Sequence, residues 1–266
     1  MTPVDVFQGD SPIVLGLPHT GTYVPDDIMA ELNPRGRGLD DTDWHIHTLY
    51  DGVLAGASTV RATFHRYVID ANRDPSGVSL YPGQNTTGLV PLTDFDGHDI
   101  WINPPDEAAV KARQAAYHTP YHTALQAELE RVRDVHGIAI LYDCHSIRSG
   151  IPFLFDGTLP DFNIGTNVGT TCAPEIEMAA QTICNAASGY TSITNGRFKG
   201  GWTTRHYGQP DKDMHAIQME LAQSTYLTAE TSPWAFDDNK AAALRPHLTS
   251  ILKQLAVLAP SLKGTS

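Results

Sequence analysis

Cysteine is scarce in this chain, with only Cys144, Cys172 and Cys184 among 266 residues. An odd count without any CxxC spacing argues against a disulfide framework and fits a reducing compartment, so cytoplasm is the expected location. Long apolar runs are lacking too. Stretches such as Ile138-Ala139-Ile140-Leu141 fall far short of the roughly 20 residues a membrane span needs. The start, Met1-Thr2-Pro3-Val4-Asp5, has no basic patch followed by an apolar run and does not read as a signal peptide. Positive charge is also in short supply, with 18 Lys and Arg against 30 Asp and Glu, a formal net charge of -12. Nucleic acid is repelled by such a chain, and no Lys/Arg run offers a local exception. A small anionic substrate would therefore have to be held by a few placed arginines. Absent as well are a GxSxG elbow, a Walker A loop and a GxGxxG following a strand. No repeat, low-complexity segment or linker appears, and no feature points to an oligomeric state.

What is present is enough for a core. Apolar residues make up 41% of the chain, which suits one substantial core or at most two small ones. With no linker to divide it, residues 1–266 read as a single domain. Strand signals fall at Pro12–Leu17, Ser58–Thr63, Arg66–Asp70, Ile138–Asp143 and His215–Leu221. Helical spacing appears after Asp40-Asp41-Thr42-Asp43, through Trp44, Ile46, Leu49, Tyr50 and Leu54. It returns over Pro105–Val135 (with an interruption near Pro120), Pro174–Ser188 and Asp237–Leu258. Ala71–Pro105 reads as a long loop, a length that usually signals function. Asn163–Gly169 reads as an ordinary loop. Alternating strands and helices predict an α/β fold, a three-layer sandwich around a mixed, largely parallel sheet.

The chemistry-bearing residues cluster at the predicted strand ends. His19 follows one strand and His145 another, and neutral imidazole is the commonest ligand for zinc-like ions. A catalytic zinc takes three protein ligands and leaves a place for water. Asp43 is the third candidate, although Asp40 and Asp41 stand beside it and any of the three suits a helix N-cap. Cys144, next to His145, would point to the other side of an extended chain, against a thiol nucleophile. In the loop Ile69–Asp74, Asn72 and Arg73 offer an amide and a planar guanidinium fork for a carboxylate. Arg205 and Arg197 are weaker candidates for the same duty. Glu220 breaks a largely apolar strand. It is either on a solvated edge or held in a site, where it would serve as general base.

Five segments carry a resemblance: Pro18-His19-Thr20-Gly21-Thr22-Tyr23-Val24-Pro25, Asp41-Thr42-Asp43-Trp44-His45, Val68-Ile69-Asp70-Ala71-Asn72-Arg73, Tyr142-Asp143-Cys144-His145-Ser146 and Asn195-Gly196-Arg197-Phe198-Lys199-Gly200-Gly201. In this order, from about residue 10 to about 225, they resemble the N-formylglutamate amidohydrolase family. The resemblance implies metal-dependent hydrolysis of N-formyl-L-glutamate to formate and L-glutamate, the last step of one route of histidine breakdown. That family looks like a distant branch of the zinc carboxypeptidase and aspartoacylase fold. Such enzymes place a His-x-x-Glu pair, an Asn-Arg pair, a later histidine and a late catalytic glutamate in sequence. Here His19, Asn72-Arg73, His145 and Glu220 follow that order, but Thr22 stands where the glutamate ligand is expected. The resemblance implies one divalent ion, zinc, on His19 and His145, and Asp43 is expected to supply the carboxylate in place of the missing glutamate. Glu220 is expected as base, Arg66 as oxyanion stabiliser, and Asn72, Arg73 and Arg205 as substrate-binding groups. Two other readings are a related amidase acting on another N-acyl acidic amino acid or a peptide terminus, and a non-catalytic dicarboxylate-binding protein.

Overall fold

The computed structural model of the chain describes residues 2–79, 83 and 85–264. Its strands are β1 (Val4–Phe7), β2 (Ile13–Leu17), β3 (Ser58–Ala62), β4 (Ala139–Ile147), β5 (Phe162–Gly165), β6 (Ser192–Thr194) and β7 (Met214–Ala222). Its α-helices are α1 (Asp26–Glu31), α2 (Ile46–Tyr50), α3 (Glu107–Arg113), α4 (Thr119–His136), α5 (Pro174–Ala186), α6 (Trp202–Tyr207) and α7 (Asp238–Leu258). The seven strands form one sheet in the order β1-β3-β2-β4-β7-β5-β6. The central run β3-β2-β4-β7 is parallel, while β1 on β3 and β5 on β7 are antiparallel. This is the mixed, largely parallel sheet expected, with helices packed on it.

Alternation along the strands sorts side chains into two layers. Ile13, Leu15, Leu17, Ile140, Tyr142, Ile217 and Met219 pack on one face with Leu49 of α2, Ile176 of α5 and Leu248 of α7. Val14, Val60, Leu141 and Ala216 pack on the other with Leu125 and Leu129 of α4. Helices on both faces bury β2, β4 and β7 completely, which is why these strands read as apolar runs with few polar interruptions. Among the described residues no helix is long and apolar enough to cross a membrane.

Several elements differ from the sequence expectation, each for a local reason. Arg66–Asp70 is not a strand. Val68 N donates to His65 O (2.9 Å) and Tyr67 N to His65 Nδ1, which curls the segment into a turn while Val68 and Ile69 stay buried. Asn163 belongs to β5, because its amide donates to the carbonyls of Pro160 and Glu220 and lets a polar residue sit inside a sheet. Helix α2 is only five residues long, and His45 before it adopts a left-handed φ of 58°. Asp43 is therefore released from a capping role and turned inward. A π turn, Gln114–His118, joins α3 to α4 where an interruption near Pro120 was expected.

Candidate active site

The period of two along β4 places Asp143 and His145 on one face, and along β7 it places Gln218 and Glu220 on the same face. The parallel register sets Asp143 opposite Gln218 and His145 opposite Glu220. His19 lies just past the end of β2, which neighbours β4. The polar groups thus gather at the carboxyl ends of three adjacent parallel strands, where open α/β sheets bind ligands. Asp43 reaches them because its backbone N–H donates to His19 O at 3.0 Å.

His19, Asp43 and His145 are all buried, and one ligand atom from each falls within 4.8 Å of the others. Nδ1 of both imidazoles faces Asp43 Oδ2, at 3.8 Å for His19 and 3.2 Å for His145. The far nitrogens face carboxylates: His19 Nε2 lies 2.6 Å from Asp70 Oδ1 and His145 Nε2 lies 3.2 Å from Asp143 Oδ1. Metal-ligating histidines are oriented by such outer carboxylates, which leave the inner nitrogen free to coordinate. Two further features fit a cation. His19 Nδ1 is buried with no hydrogen-bond partner. The carboxylates of Asp43, Asp70 and Asp143 are buried, with Arg66 on Asp43 and Arg73 Nη1 3.5 Å from Asp70, three carboxylates against two guanidiniums, an excess of negative charge that a divalent ion would offset. Burial and Arg66 lower the pKa of His19, which favours the neutral imidazole a ligand needs. Burial also pulls on His145, but Asp143, Asp43 and Glu220 outweigh it and hold its pKa well above the ordinary value.

Geometry also separates Asp43 from its neighbours. Asp41 turns away, with Oδ2 accepting from Tyr67 OH (2.8 Å) and from Phe95 N (3.0 Å). Burial pushes its carboxyl up to about 7, against the opposing pull of Arg66 and Tyr67. A raised carboxyl pKa means the fold binds this proton more tightly than the unfolded chain does. The contribution favours folding at low pH and fades as pH rises through about 7. Asn accepts the same two hydrogen bonds and cannot ionise. Asp41→Asn should therefore melt higher, relative to wild type, at pH 8 than at pH 5, with metal content unchanged. Scanning calorimetry at the two pH values and elemental analysis check this.

Glu220 is 7% exposed and opens onto a cavity of about 210 Å³. Gln218 holds it: Gly201 N donates to Gln218 Oε1 at 2.6 Å, so the amide nitrogen faces Glu220 Oε2 at 3.1 Å. Burial pushes the Glu220 carboxyl up to about 8, with Asp43 and Asp143 adding to the rise and His145 and Arg66 opposing it. Arg66 donates Nη2 to Asp43 Oδ1 at 2.6 Å and stacks over Phe95. His19, Arg66, Asn72, Arg73, His145, Arg197 and Glu220 all line the cavity. Asn72 Oδ1 accepts from Thr203 N at 2.8 Å, and its Nδ2 lies 3.1 Å from His145 Nε2. The Arg73 guanidinium reaches the Thr87 carbonyl and hydroxyl and the Asn72 carbonyl. Arg205 is the exception among the expected site residues. It lies on α6 outside the cavity lining, with Nε donating to Gly200 O at 2.9 Å, which holds the guanidinium against the loop before the helix. Asp70, Asp143 and Gln218 went unassigned in the sequence. The available signal was their spacing, since Asp143 and Gln218 each stand two residues before a site residue on a strand.

A mixed α/β sheet with a buried His–Asp–His group able to hold a metal ion, and a glutamate at its carboxyl edge, has the make-up of a hydrolase site, and relatives narrow the class. The sequence model described as N-formylglutamate amidohydrolase matches residues 11–227, and the chain belongs to that family. It is 44% identical over 252 residues to the N-formylglutamate deformylase of Pseudomonas aeruginosa PAO1, covering 93% of this chain and 94% of the relative. It is equally similar to the N-formylglutamate deformylase of Pseudomonas putida, over 93% of each chain. Among solved structures, N-formylglutamate amidohydrolase from Ralstonia eutropha JMP134 superposes with a TM-score of 0.81 at 25% identity, covering 98% of this chain and 99% of that one. A gene product of Agrobacterium tumefaciens shares the fold, with a TM-score of 0.74 at 19% identity over 97% and 96% of the two chains.

Proposed function

We propose that the chain, acting as one amidohydrolase domain, hydrolyses N-formyl-L-glutamate to formate and L-glutamate with the help of one divalent ion, zinc. The observation that carries the reading is the buried group His19, Asp43 and His145 at a small cavity whose lining includes His19, His145, Glu220, Arg66, Arg73 and Arg197. The 44% identity to two deformylases supports the substrate. Two imidazole nitrogens and a carboxylate form the donor set of a catalytic zinc, His19 and His145 through Nδ1 and Asp43 through Oδ2. When bound, such an ion polarises a carbonyl and acidifies water from a pKa of about 15.7 to about 7.

The chain's own residues supply the remainder. Glu220 accepts the proton of the attacking water and returns it to the leaving nitrogen, so the formyl C–N bond breaks as a C–O bond forms. Arg66 keeps Nη2 on Asp43 and has Nε buried without a hydrogen-bond partner, a charged donor group beside the developing oxyanion. Asn72 and Arg73 hold a substrate carboxylate, and Arg197 on the cavity wall is placed to meet the second acidic group. Formyl is tiny, so discrimination falls to the acidic end. The three cysteines are free and buried, which accords with a reducing cytoplasm.

The test is formate release by metal-assayed enzyme across formyl, acetyl and succinyl derivatives of glutamate and aspartate. Preference for another acyl group would move the reading to a related amidase. Tight dicarboxylate binding with neither metal nor turnover would end it. Specificity has its own test. Arg73→Lys keeps the charge but loses the fork that spans Thr87 and Asn72, so KM for the acidic substrate should rise by about tenfold or more. Much of the loss should appear in KM, since the contact exists in the ground state. Steady-state kinetics with an unchanged KM would put Arg73 outside substrate recognition.

A further inference from the structure

We propose that His118 and His122 are positioning residues that fix the turn Asp70–Arg73 by holding the carbonyls on either side of Asn72. The inference rests on the reading of Asn72 and Arg73 as substrate-binding groups. The turn is tightly held on its inner side. Asp70 Oδ1 accepts from the Asn72 backbone N–H at 2.8 Å, and Asn72 Oδ1 accepts from Thr203 N. Gly201 lies so close that a Cβ there would come within 2.3 Å of Asn72 Nδ2. The first of these contacts also pins, from its N–H side, the peptide unit that carries the Ala71 carbonyl. None of them holds the unit that carries the Arg73 carbonyl, next to the guanidinium-bearing residue.

The outer side is held by imidazoles. His122 Nε2 lies 2.7 Å from Ala71 O, and His118 Nε2 lies 3.1 Å from Arg73 O. The intervening carbonyl, of Asn72, accepts from the Arg73 guanidinium itself. Three consecutive carbonyls are thus tied, two of them by histidines. A carbonyl only accepts, so each Nε2 must carry the proton; His122 Nδ1 lies 3.0 Å from Tyr207 OH, which also donates to the His122 carbonyl at 3.2 Å. The two histidines stand one helical turn apart, on the same side, across the junction between the π turn and α4. Their rings lie 4.3 Å apart, with Trp202 beside both. Burial holds both imidazoles below the ordinary pKa, His122 at about 3. Each therefore gives its carbonyl a neutral donor, without adding charge beside Arg73. A π turn inside a helix often marks a functional position, and here it brings both rings to the substrate turn.

His122→Phe and His118→Phe keep a ring and remove the donor. With metal-loaded enzyme and N-formyl-L-glutamate, each should raise KM roughly tenfold, the usual effect of leaving a buried carbonyl unpaired. Metal content should stay unchanged and kcat should stay within about threefold. His122→Gln and His118→Gln restore an N–H and should return KM most of the way. Amide hydrogen exchange at residues 71–73 should quicken in the Phe variants and slow again in the Gln variants. Folded Phe variants with wild-type KM and exchange would overturn the proposal, as would Gln variants that do no better than Phe. Should His122→Phe fail to fold, the His118 pair alone decides. Should wild type release no formate, the substrate reading fails by itself. The exchange arm then decides the clamp, with unchanged exchange overturning it.

Discussion

Glu220→Gln should keep its metal and nearly its wild-type KM while kcat falls by about 10²–10⁴, the usual worth of general acid–base help. The substitution keeps the size of the side chain, and Gln Oε1 can still accept from Gln218 Nε2, the bond that now orients Glu220 at 3.1 Å. What it removes is the capacity to take a proton. The environment sets the pH above which that capacity becomes available. Burial raises the carboxyl to about 8 with help from Asp43 and Asp143, while His145 and Arg66 keep it from rising further. The wild-type rate should accordingly fall on acidification from a pH above that of an ordinary carboxylate, as the base becomes protonated, and the residual rate of the Gln variant should lack that limb. Metal occupancy and kcat measured on one preparation separate the roles. Loss of both would make Glu220 a ligand, and activity within a few-fold of wild type would refute any catalytic part for it.

The same residue shows how far the sequence could be read. Glu220 in an apolar run is ambiguous between a solvated edge and a site, because periodicity does not say which strands flank it. The order β4-β7-β5 answers this by placing β7 inside the sheet, where an isolated carboxylate is costly without a purpose. His19 and His145 were legible because both follow apolar runs that become the neighbouring parallel strands β2 and β4. Asp43 was not separable from Asp40 and Asp41. The choice depends on the left-handed backbone at His45 and the hydrogen bond from Asp43 N to His19 O, neither of which has a spacing signature. Arg66–Asp70 misled as a strand, since Tyr67, Val68 and Ile69 have strand-like side chains and tertiary burial satisfied them in a turn instead. The partners Asp70 and Asp143 lay in plain sight, yet their role appears only when His19 and His145 are brought together from positions far apart in the chain.

Those partners give the metal site its sharpest test. His19→Ala and His145→Ala should each strip the ion and abolish formate release, while far-UV circular dichroism stays close to wild type. Each removes one of the three proposed ligands, and each also leaves a buried carboxylate, Asp70 or Asp143, without its imidazole. Some loss of stability is therefore expected, of order 1–3 kcal/mol for an unpaired buried polar group. Asp70→Asn and Asp143→Asn separate that loss from ligation. Both keep the two Nδ1 atoms proposed to coordinate and weaken the bond that orients each ring, while an Asn oxygen can still accept from Asn72 N at position 70 and from Thr204 Oγ1 at position 143. Metal affinity should drop by about 10–100-fold, the usual effect of an outer-shell partner, and added metal should restore activity. The Ala variants should not be rescued by metal at any concentration the fold tolerates. Titration with zinc, followed by metal analysis and activity in parallel, distinguishes the two groups. Near-stoichiometric metal in both His→Ala variants would sink the His19–Asp43–His145 site. Asn variants as dead to added metal as the Ala variants would show that Asp70 and Asp143 do more than orient the rings.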